Sequence, residues 1–534
     1  MRILIFHGYL LGGTGSNVYN AELAAALVAG GHEVHLLSQE PAPFDHDFVD
    51  ARGVWRDGSL EIEARRDVVR CTVYRPDIGG LLPVYVADRY QGIEARPFNQ
   101  LSDAQLDRYL EANVEAVAEV ARRAAPEAAL ANHLVMGPVI LARALDGRDG
   151  VPYAVKVHGS ALEYTVKPHP RFLPYAREGI APARAVLVGS GHTARSLWEA
   201  MDDPELPART RLGPPGVDVE AFAPRTRQEA AAGLRDLAER LAQDGGVGSE
   251  AAFSRDRAEA AGALGRLGSG DEGLVAFVGK LIAAKGIDLL LAAWPLVLRR
   301  RPGARLVVVG FGAFREAAEG LVADLSRGDL GAVGELAARG RAVEGGPAGV
   351  LRQLQDFLEG LAADPERRSS YLAAAQDLPE RVVFTGRLEH PELADLLPAC
   401  DALVVPSTFP EAFGMVAAEA AACGALPISA HHSGLAEVTR TLAAAVPAPA
   451  RPLLRFGLGP RAVDELADRI VEWLEAPAAL RRETSRALVA TARERYSWEG
   501  VANGVIAAAR GRLDALPAPG ADDAPEAREA GTLG

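Results

Sequence analysis

Two layered α/β domains built on parallel sheets are what this chain predicts, and three observations carry that reading. Short apolar runs alternate with helical patterns from the first residues onward. The alternation stops at a Pro- and Gly-dense stretch, LGPPGVDVEAFAP at 212–224, and then starts again. At 534 residues the chain is also too long for one hydrophobic core. Strands that take turns with helices imply βαβ units, and two rounds of them imply two domains.

Residues 2–7 read as the first strand, 12–15 as a glycine loop, and 16–29 as a helix stopped by Gly30-Gly31. Strands follow at 34–38, 68–74, 153–157 and 185–188, with helices near 103–124 and 192–200. The second round has strands at 274–278, 306–309, 382–385 and 402–405, and a helix at about 287–300. Residues 226–270 and 313–380 interrupt the rhythm; rich in Ala, Arg, Glu and Gly, they read as amphipathic surface insertions. Residues 515–534 are too poor in apolar side chains to pack and read as a disordered tail. The resulting division is 1–220, 221–494, a C-terminal helical segment at 495–514, and the tail.

Composition excludes several classes. With 49% hydrophobic and 24% charged residues the chain is of ordinary globular type. A net charge of −14 argues against nucleic acid as partner, since that needs clustered cations. There is no apolar run long enough to span a bilayer, and the start lacks the features of a signal peptide. Three widely spaced cysteines make neither a disulfide framework nor a metal cluster, which fits a reducing cytoplasm. Of 57 basic residues only four are lysine: Lys156, Lys167, Lys280 and Lys285. In so Arg-biased a chain each lysine stands out, because a compact ammonium and a planar guanidinium do different jobs; Lys156 and Lys167 read as structural or surface lysines.

The most informative stretch is DALVVPSTFPEAFGMVAAEAAACGALPISAHHSGLAEV, residues 401–438. A buried strand leads through Pro406-Ser407 to Pro410-Glu411, and a helix starts near Phe413-Gly414. Free N–H groups at such a start suit a phosphate or polarised sugar oxygens. The loop lies beyond the carboxyl end of a strand, where open α/β sheets bind ligands. Glu411 stands at the mouth of that helix and Glu419 two turns along it.

The pattern PS-x3-E-x-FG-x4-E-x3-CG-x-P resembles the family-4 retaining glycosyltransferases, the group 1 glycosyl transferases of GT-B fold. The resemblance extends to Gly12-Gly13, His158-Gly159, Gly216-Val217-Asp218, Gly279-Lys280 with Lys285-Gly286, and Tyr496-Ser497-Trp498-Glu499. It implies two facing Rossmann-like domains, with a last helix that returns to the first. It also implies that Glu411 receives hydrogen bonds from donor-sugar hydroxyls and that Glu419 holds the ribose. Phe413, Gly414, Met415 and Val416 would contact sugar and phosphates through their backbone, and Lys280 and Lys285 the diphosphate. Leu388 would lie beside the base, His158 would face the donor sugar, and the loop with Gly12 and Gly13 would serve the acceptor. Lys280 departs from the family, which usually has Arg there; the charge is kept and the bidentate fork is lost.

The activity so implied is transfer of a hexosyl group from a nucleoside-diphosphate sugar, such as a UDP-sugar, to an acceptor hydroxyl. Retention needs either a covalent intermediate or attack from the leaving-group face; no obvious nucleophile is present, and the resemblance favours front-face attack. Two lysines and helix amides would stabilise the departing diphosphate without metal or cofactor. Asp45-His46-Asp47 matches a D-x-D pair only formally and reads as a loop, and His431-His432 lacks a third ligand. The rivals are a sugar-nucleotide epimerase or phosphorylase of the same fold, a non-catalytic sugar-nucleotide-binding protein, and a dinucleotide oxidoreductase with Glu40 as its ribose acid. The acceptor and the oligomeric state have no code in the sequence.

Overall fold

A computed structural model describes residues 1–12, 15–56, 58–85, 94–145, 150–243, 256–267, 273–346 and 349–520. The chain divides into two compact units. The N-terminal unit comprises Met1–Gly216 and the chain from Trp498 onward, and the C-terminal unit takes the stretch between.

The N-terminal unit has strands β1 (Arg2–Phe6), β2 (Glu33–Leu37), β3 (Ala51–Arg56), β4 (Ser59–Ala64), β5 (Cys71–Arg75), β6 (Leu81–Val84), β7 (Glu94–Pro97), β8 (Ala128–Asn132), β9 (Tyr153–Val157), β10 (Ala185–Val188) and β11 (Thr210–Leu212). Nine of them form one sheet in the order β11-β10-β9-β8-β1-β2-β5-β3-β4, while β6 and β7 pair separately. Every pair in the large sheet is parallel except the β3–β4 hairpin at its edge. Side chains alternate across β1. Ile3 and Ile5 share a core with helices Gly15–Ala29 and Trp498–Ala509, whereas Leu4 and Phe6 share one with Asp103–Ala124 and Gly137–Leu145. Ser102 and Gln105 close a reciprocal cap on the helix Asp103–Ala124.

The last helix, Trp498–Ala509, thus belongs to the N-terminal unit. A Cβ on Gly216 would lie 2.4 Å from the Trp498 ring, so only glycine fits there. The chain beyond the helix packs further than its composition suggests. The Leu212 N–H donates to the Pro517 carbonyl at 2.8 Å, and Leu513 and Leu516 rest on the same core. The rest of the expected tail, from residue 521, lies outside the described residues.

The C-terminal unit carries β12 (Leu274–Val278), β13 (Arg305–Val309), β14 (Val382–Gly386), β15 (Ala402–Val405), β16 (Leu426–Ala430) and β17 (Arg455–Phe456). They form a parallel sheet in the order β14-β13-β12-β15-β16-β17. The strand order reverses between β12 and β15, so the loops after these two neighbours open at a topological switch point.

Where they are described, the two interrupting stretches are not surface additions. Helix Arg227–Gln243 buries Leu234, Leu237 and Leu241 in the main core, and Arg225 and Arg240 both bind Asp395. In the longer stretch Phe314, Leu321, Leu354, Phe357, Leu361 and Tyr371 are buried, and the Tyr371 hydroxyl donates to the Ala292 carbonyl at 2.9 Å. Their leucines and aromatics recur at helical spacing, which makes these helices a covering layer of the sheet.

Candidate functional site

The loops after β12 and β15 bring Lys285 and Glu411 together. Lys285 ends a short 3-10 turn, Ala283–Lys285, and Gly286 turns the chain into the long helix Ile287–Arg300. Gly286 has φ +66°, and a Cβ there would lie 2.0 Å from the Pro406 carbonyl oxygen. The missing side chain is what lets the two loops approach. Across that gap the Lys285 ammonium forms an ion pair with the Glu411 carboxylate, and the Ser407 hydroxyl donates to the same carboxylate oxygen at 2.7 Å. Both charged side chains are about a quarter to a third exposed, 31% for Lys285 and 23% for Glu411, so a ligand can reach them.

The backbone of Glu411 is held as firmly. Its N–H donates to the Ser433 hydroxyl at 2.9 Å, and its carbonyl accepts from the Gly434 N–H at 2.9 Å. Ser433 Oγ lies 3.0 Å from His432 Nδ1, and His432 Nε2 lies 2.7 Å from the Ser407 carbonyl. A carbonyl can only accept, so Nε2 carries the proton and Nδ1 accepts from Ser433. Burial holds this imidazole below its usual range, against the Ser407 carbonyl and the Glu411 charge, which favour protonation. The neutral ring therefore ties the loop after β16 to the loop after β15. Sequence reading placed Ser407 inside the motif but missed Ser433 and His432 as its props, because their roles depend on pairing across 22 to 25 residues.

Phe413 and Gly414 precede the helix Met415–Ala422, which starts one residue later than expected. Gly414 is close-packed, since a Cβ would meet Leu435 Cδ2 at 2.9 Å. The Gly414 carbonyl accepts from Ala417 and Ala418, which leaves the N–H groups of Met415 and Val416 ahead of the helical ladder. Glu419, 2% exposed, points into the protein, and its Oε1 lies 2.8 Å from His390 Nε2. His390 begins the helix His390–Leu396 with its ring 4.8 Å from that of Phe222. Leu388, two residues earlier, is buried. Lys280 follows β12, its ammonium 6.0 Å from the centre of the Phe311 ring.

In the N-terminal unit His158 caps β9. Its Nε2 lies 3.0 Å from Asn132 Oδ1, and its ring meets Tyr19 edge-on at 5.1 Å. Asn132 Nδ2 donates to the Phe6 carbonyl, so its oxygen accepts and His158 Nε2 is the donor. Burial first, then His133, Lys156 and His7, keep this imidazole far below its usual range and neutral. Gly12 is exposed, with its carbonyl taken by Asn17 Nδ2 at 2.7 Å; Gly13 lies outside the described residues. Glu40, the ribose acid of the oxidoreductase alternative, accepts instead from the N–H groups of Leu11 at 3.0 Å and Ala42 at 3.2 Å. The carbonyls of His46 and Asp47 bind Arg65 in a polar turn, and His431 meets Arg455 at 3.3 Å. No group of three or more metal-ligating side chains occurs among the described residues. No helix among them is long and apolar enough to cross a membrane.

Comparison with known proteins agrees with this architecture. A model described as glycosyl transferase 4-like domain matches residues 14–209, and one described as glycosyl transferases group 1 matches 362–495; together they cover more than half of the chain. A D-inositol 3-phosphate glycosyltransferase of Segniliparus rotundus is 31% identical over 242 residues, 45% of this chain and 40% of that protein. A glycogen synthase of Mycobacterium tuberculosis is 30% identical over 245 residues, 45% of this chain and 44% of that protein. The chain thus spans about half the length, or less, of the curated relatives it matches. Among solved structures, sucrose-phosphate synthase from Thermosynechococcus elongatus superposes with TM-score 0.57 at 20% identity, over 96% of this chain and 99% of that one. Anabaena HepE in complex with UDP-glucose gives TM-score 0.53 at 16% identity, over 97% and 100%. With two consecutive family models matched and the fold of both units shared, the chain belongs to the group 1 glycosyltransferases and has the GT-B fold.

Proposed function

We propose that the chain is a retaining glycosyltransferase that moves a hexosyl group from a nucleoside-diphosphate sugar, foremost a UDP-sugar, to an acceptor hydroxyl. The observation that carries this reading is the Lys285–Glu411–Ser407 cluster at the switch point of the C-terminal sheet, beside the start of helix Met415–Ala422. Lys285 and Lys280 with the amides of Met415 and Val416 supply positive potential where a diphosphate gathers negative charge. Glu411, fixed at both backbone and side chain, receives sugar hydroxyls. In the reaction the bond from C1 to the phosphate oxygen breaks and a bond from C1 to the acceptor oxygen forms on the same face. The acceptor proton passes to the departing phosphate oxygen, so neither a protein nucleophile nor a metal is required. A cytoplasmic setting accords with Cys71, Cys400 and Cys423, all buried free thiols.

The test is thermal stabilisation by UDP, GDP and ADP, each with and without Mg²⁺ and EDTA. A shift that needs the diphosphate and survives EDTA is expected, because a ligand that binds only the native state raises its apparent stability. A shift seen only with metal would overturn the metal-free reading, and no shift with any of the three would overturn the donor site. Glu419 gives a narrower check. If its carboxylate turns from His390 to ribose hydroxyls, Glu419→Ala weakens UDP binding by about tenfold, the worth of one charged hydrogen bond. The same variant should bind 2′,3′-dideoxy-UDP as the parent does. Equal losses for both nucleotides would make Glu419 a structural partner of His390 only.

A further inference from the structure

Three residues close a circuit of hydrogen bonds on Glu411, and one of them titrates. The Glu411 N–H donates to Ser433 Oγ at 2.9 Å, and the Ser433 hydroxyl donates to His432 Nδ1 at 3.0 Å. His432 Nε2 donates to the Ser407 carbonyl at 2.7 Å, and the Ser407 hydroxyl donates to the Glu411 carboxylate at 2.7 Å. Every bond runs in the same sense, because Ser433 Oγ accepts from the amide and a carbonyl can only accept. The circuit therefore leaves Glu411 by its backbone and returns to its side chain.

Ser433 stands in left-handed backbone, φ +50°, where a side chain other than glycine is uncommon. Glycine would hold this turn without strain, so what the serine adds is its hydroxyl. The close approach of the two loops falls to the next residue, Gly434, where a Cβ would lie 2.6 Å from the Ala412 carbonyl oxygen. Backbone strain held by its surroundings gathers at functional sites.

His432 is partly buried, and burial keeps it neutral against the pull of the Ser407 carbonyl and the Glu411 charge. The charges about it are Glu411 on the loop after β15, the Lys285 ammonium bound to that carboxylate, and Arg455 of β17, which meets the adjacent His431 at 3.3 Å. The helix Ser433–Ala445 carries its first charge at Glu437, which acts on Tyr496. A proton added to the ring would make Nδ1 a donor. Ser433 Oγ would then accept from both sides, and its own proton would leave the circuit. A new positive charge would also stand beside Glu411 and compete with Lys285 for the carboxylate.

We propose that His432, acting through Ser433 and Ser407, is a positioning residue that holds the Glu411 carboxylate in its sugar-receiving orientation, and that only the neutral ring does so. It acts without touching the sugar. This rests on the donor reading above, whereas the circuit itself is a property of the C-terminal unit.

The experiment uses the full chain and three variants. His432→Phe keeps a ring and removes both nitrogens, His432→Gln keeps a donor for the Ser407 carbonyl, and Ser433→Gly suits the left-handed backbone and removes only the hydroxyl. Release of free sugar from UDP-glucose, GDP-mannose and ADP-glucose reads transfer with water as acceptor, and calorimetry reads affinity for the matching diphosphate. At neutral pH His432→Phe and Ser433→Gly should each release sugar about tenfold more slowly, the effect of one lost hydrogen bond, with diphosphate affinity within about twofold of the parent. Their double variant should be no slower than the worse single one, because a circuit opened once carries nothing at its second gap. His432→Gln should fall between the parent and His432→Phe. The parent rate should drop as falling pH protonates the imidazole, and His432→Gln should lack that drop.

Nitrogen NMR of the histidine rings, with His432 assigned by its loss in His432→Phe, needs no donor sugar. It should show the His432 proton on Nε2, and Ser433→Gly should raise the titration midpoint, because the neutral ring loses the donor to Nδ1. A proton on Nδ1 overturns the proposal, as do parental rates in folded variants; Ser433→Gly decides the matter should His432→Phe not fold. Diphosphate affinity that falls as far as the rate also overturns it, since that is what a prop of the loops alone would give. No diphosphate binding by the parent overturns the donor reading and the proposal with it, whereas binding and sugar release by the parent with unchanged variants overturn the proposal alone.

Discussion

Glu411→Ala and Lys285→Ala are each expected to lower the rate of sugar transfer by about a hundredfold or more, the usual scale for removing a group aimed at developing charge. The two act through different steps. On the proposed donor reading Lys285 neutralises the diphosphate, so in Lys285→Ala nucleotide affinity and rate should fall together. Without Glu411 the ammonium of Lys285 and the hydroxyl of Ser407 lose their shared acceptor. Nucleoside diphosphate should then still bind, while the sugar it carries is no longer positioned. Single-turnover transfer and calorimetric UDP binding separate these effects. Because the residues touch, the double variant should cost less than the two single losses combined. Near-normal turnover in folded Glu411→Ala protein would remove the carboxylate from the reaction.

Gly286→Ala is expected to destabilise the C-terminal unit by about 2–4 kcal/mol and to abolish nucleotide binding, although it adds a single methyl group. The left-handed φ of +66° strains any L side chain, and the new Cβ would sit 2.0 Å from the Pro406 carbonyl oxygen. Relief requires the loop bearing Lys285 to move away from the loop bearing Ser407 and Glu411. Gly320→Ala is the matched control: it lies in the helix Arg315–Ser326, a Cβ there has nothing within 4 Å, and stability should rise slightly. Chemical denaturation of both variants, with and without UDP, reads the effect. A Gly286→Ala protein of parental stability and UDP affinity would show that the close approach of the loops does not matter.

Much of this architecture was legible in the chain because apolar runs such as LVAFV and ALVV are bounded by turn residues. β8 was not legible: its sequence, AALAN, reads as helix by propensity and is a strand only because it is buried between β1 and β9. The β3–β4 hairpin escaped for the opposite reason, since SLEIEA is charged and mostly exposed at the sheet edge. At the loops after β12 and β15 the motif pointed to Glu411 and Lys285, and the structure places them in contact. It could not show that Glu419 faces His390, because that partner stands 29 residues away on another helix. The insertions were misjudged as peripheral because Ala- and Arg-rich composition hides the few large residues that do the packing. Lys156 read as a surface or structural lysine; it is buried, and removal from water draws its ammonium down to about 7.

The two places where the chain passes between the units lie side by side. Val217 bridges Ser497 and its N–H donates to the Tyr496 carbonyl at 2.6 Å, while Gly216 is pressed to the Trp498 ring. In modular terms, the described chain from Val217 to Ser497 is a cassette spliced into one host fold, with its first and last residues already joined as neighbours. Such an arrangement lets the whole C-terminal unit be exchanged for that of a relative through two adjacent junctions. The host needs no new loop to span the gap, because its own two cut ends, Gly216 and Trp498, already touch.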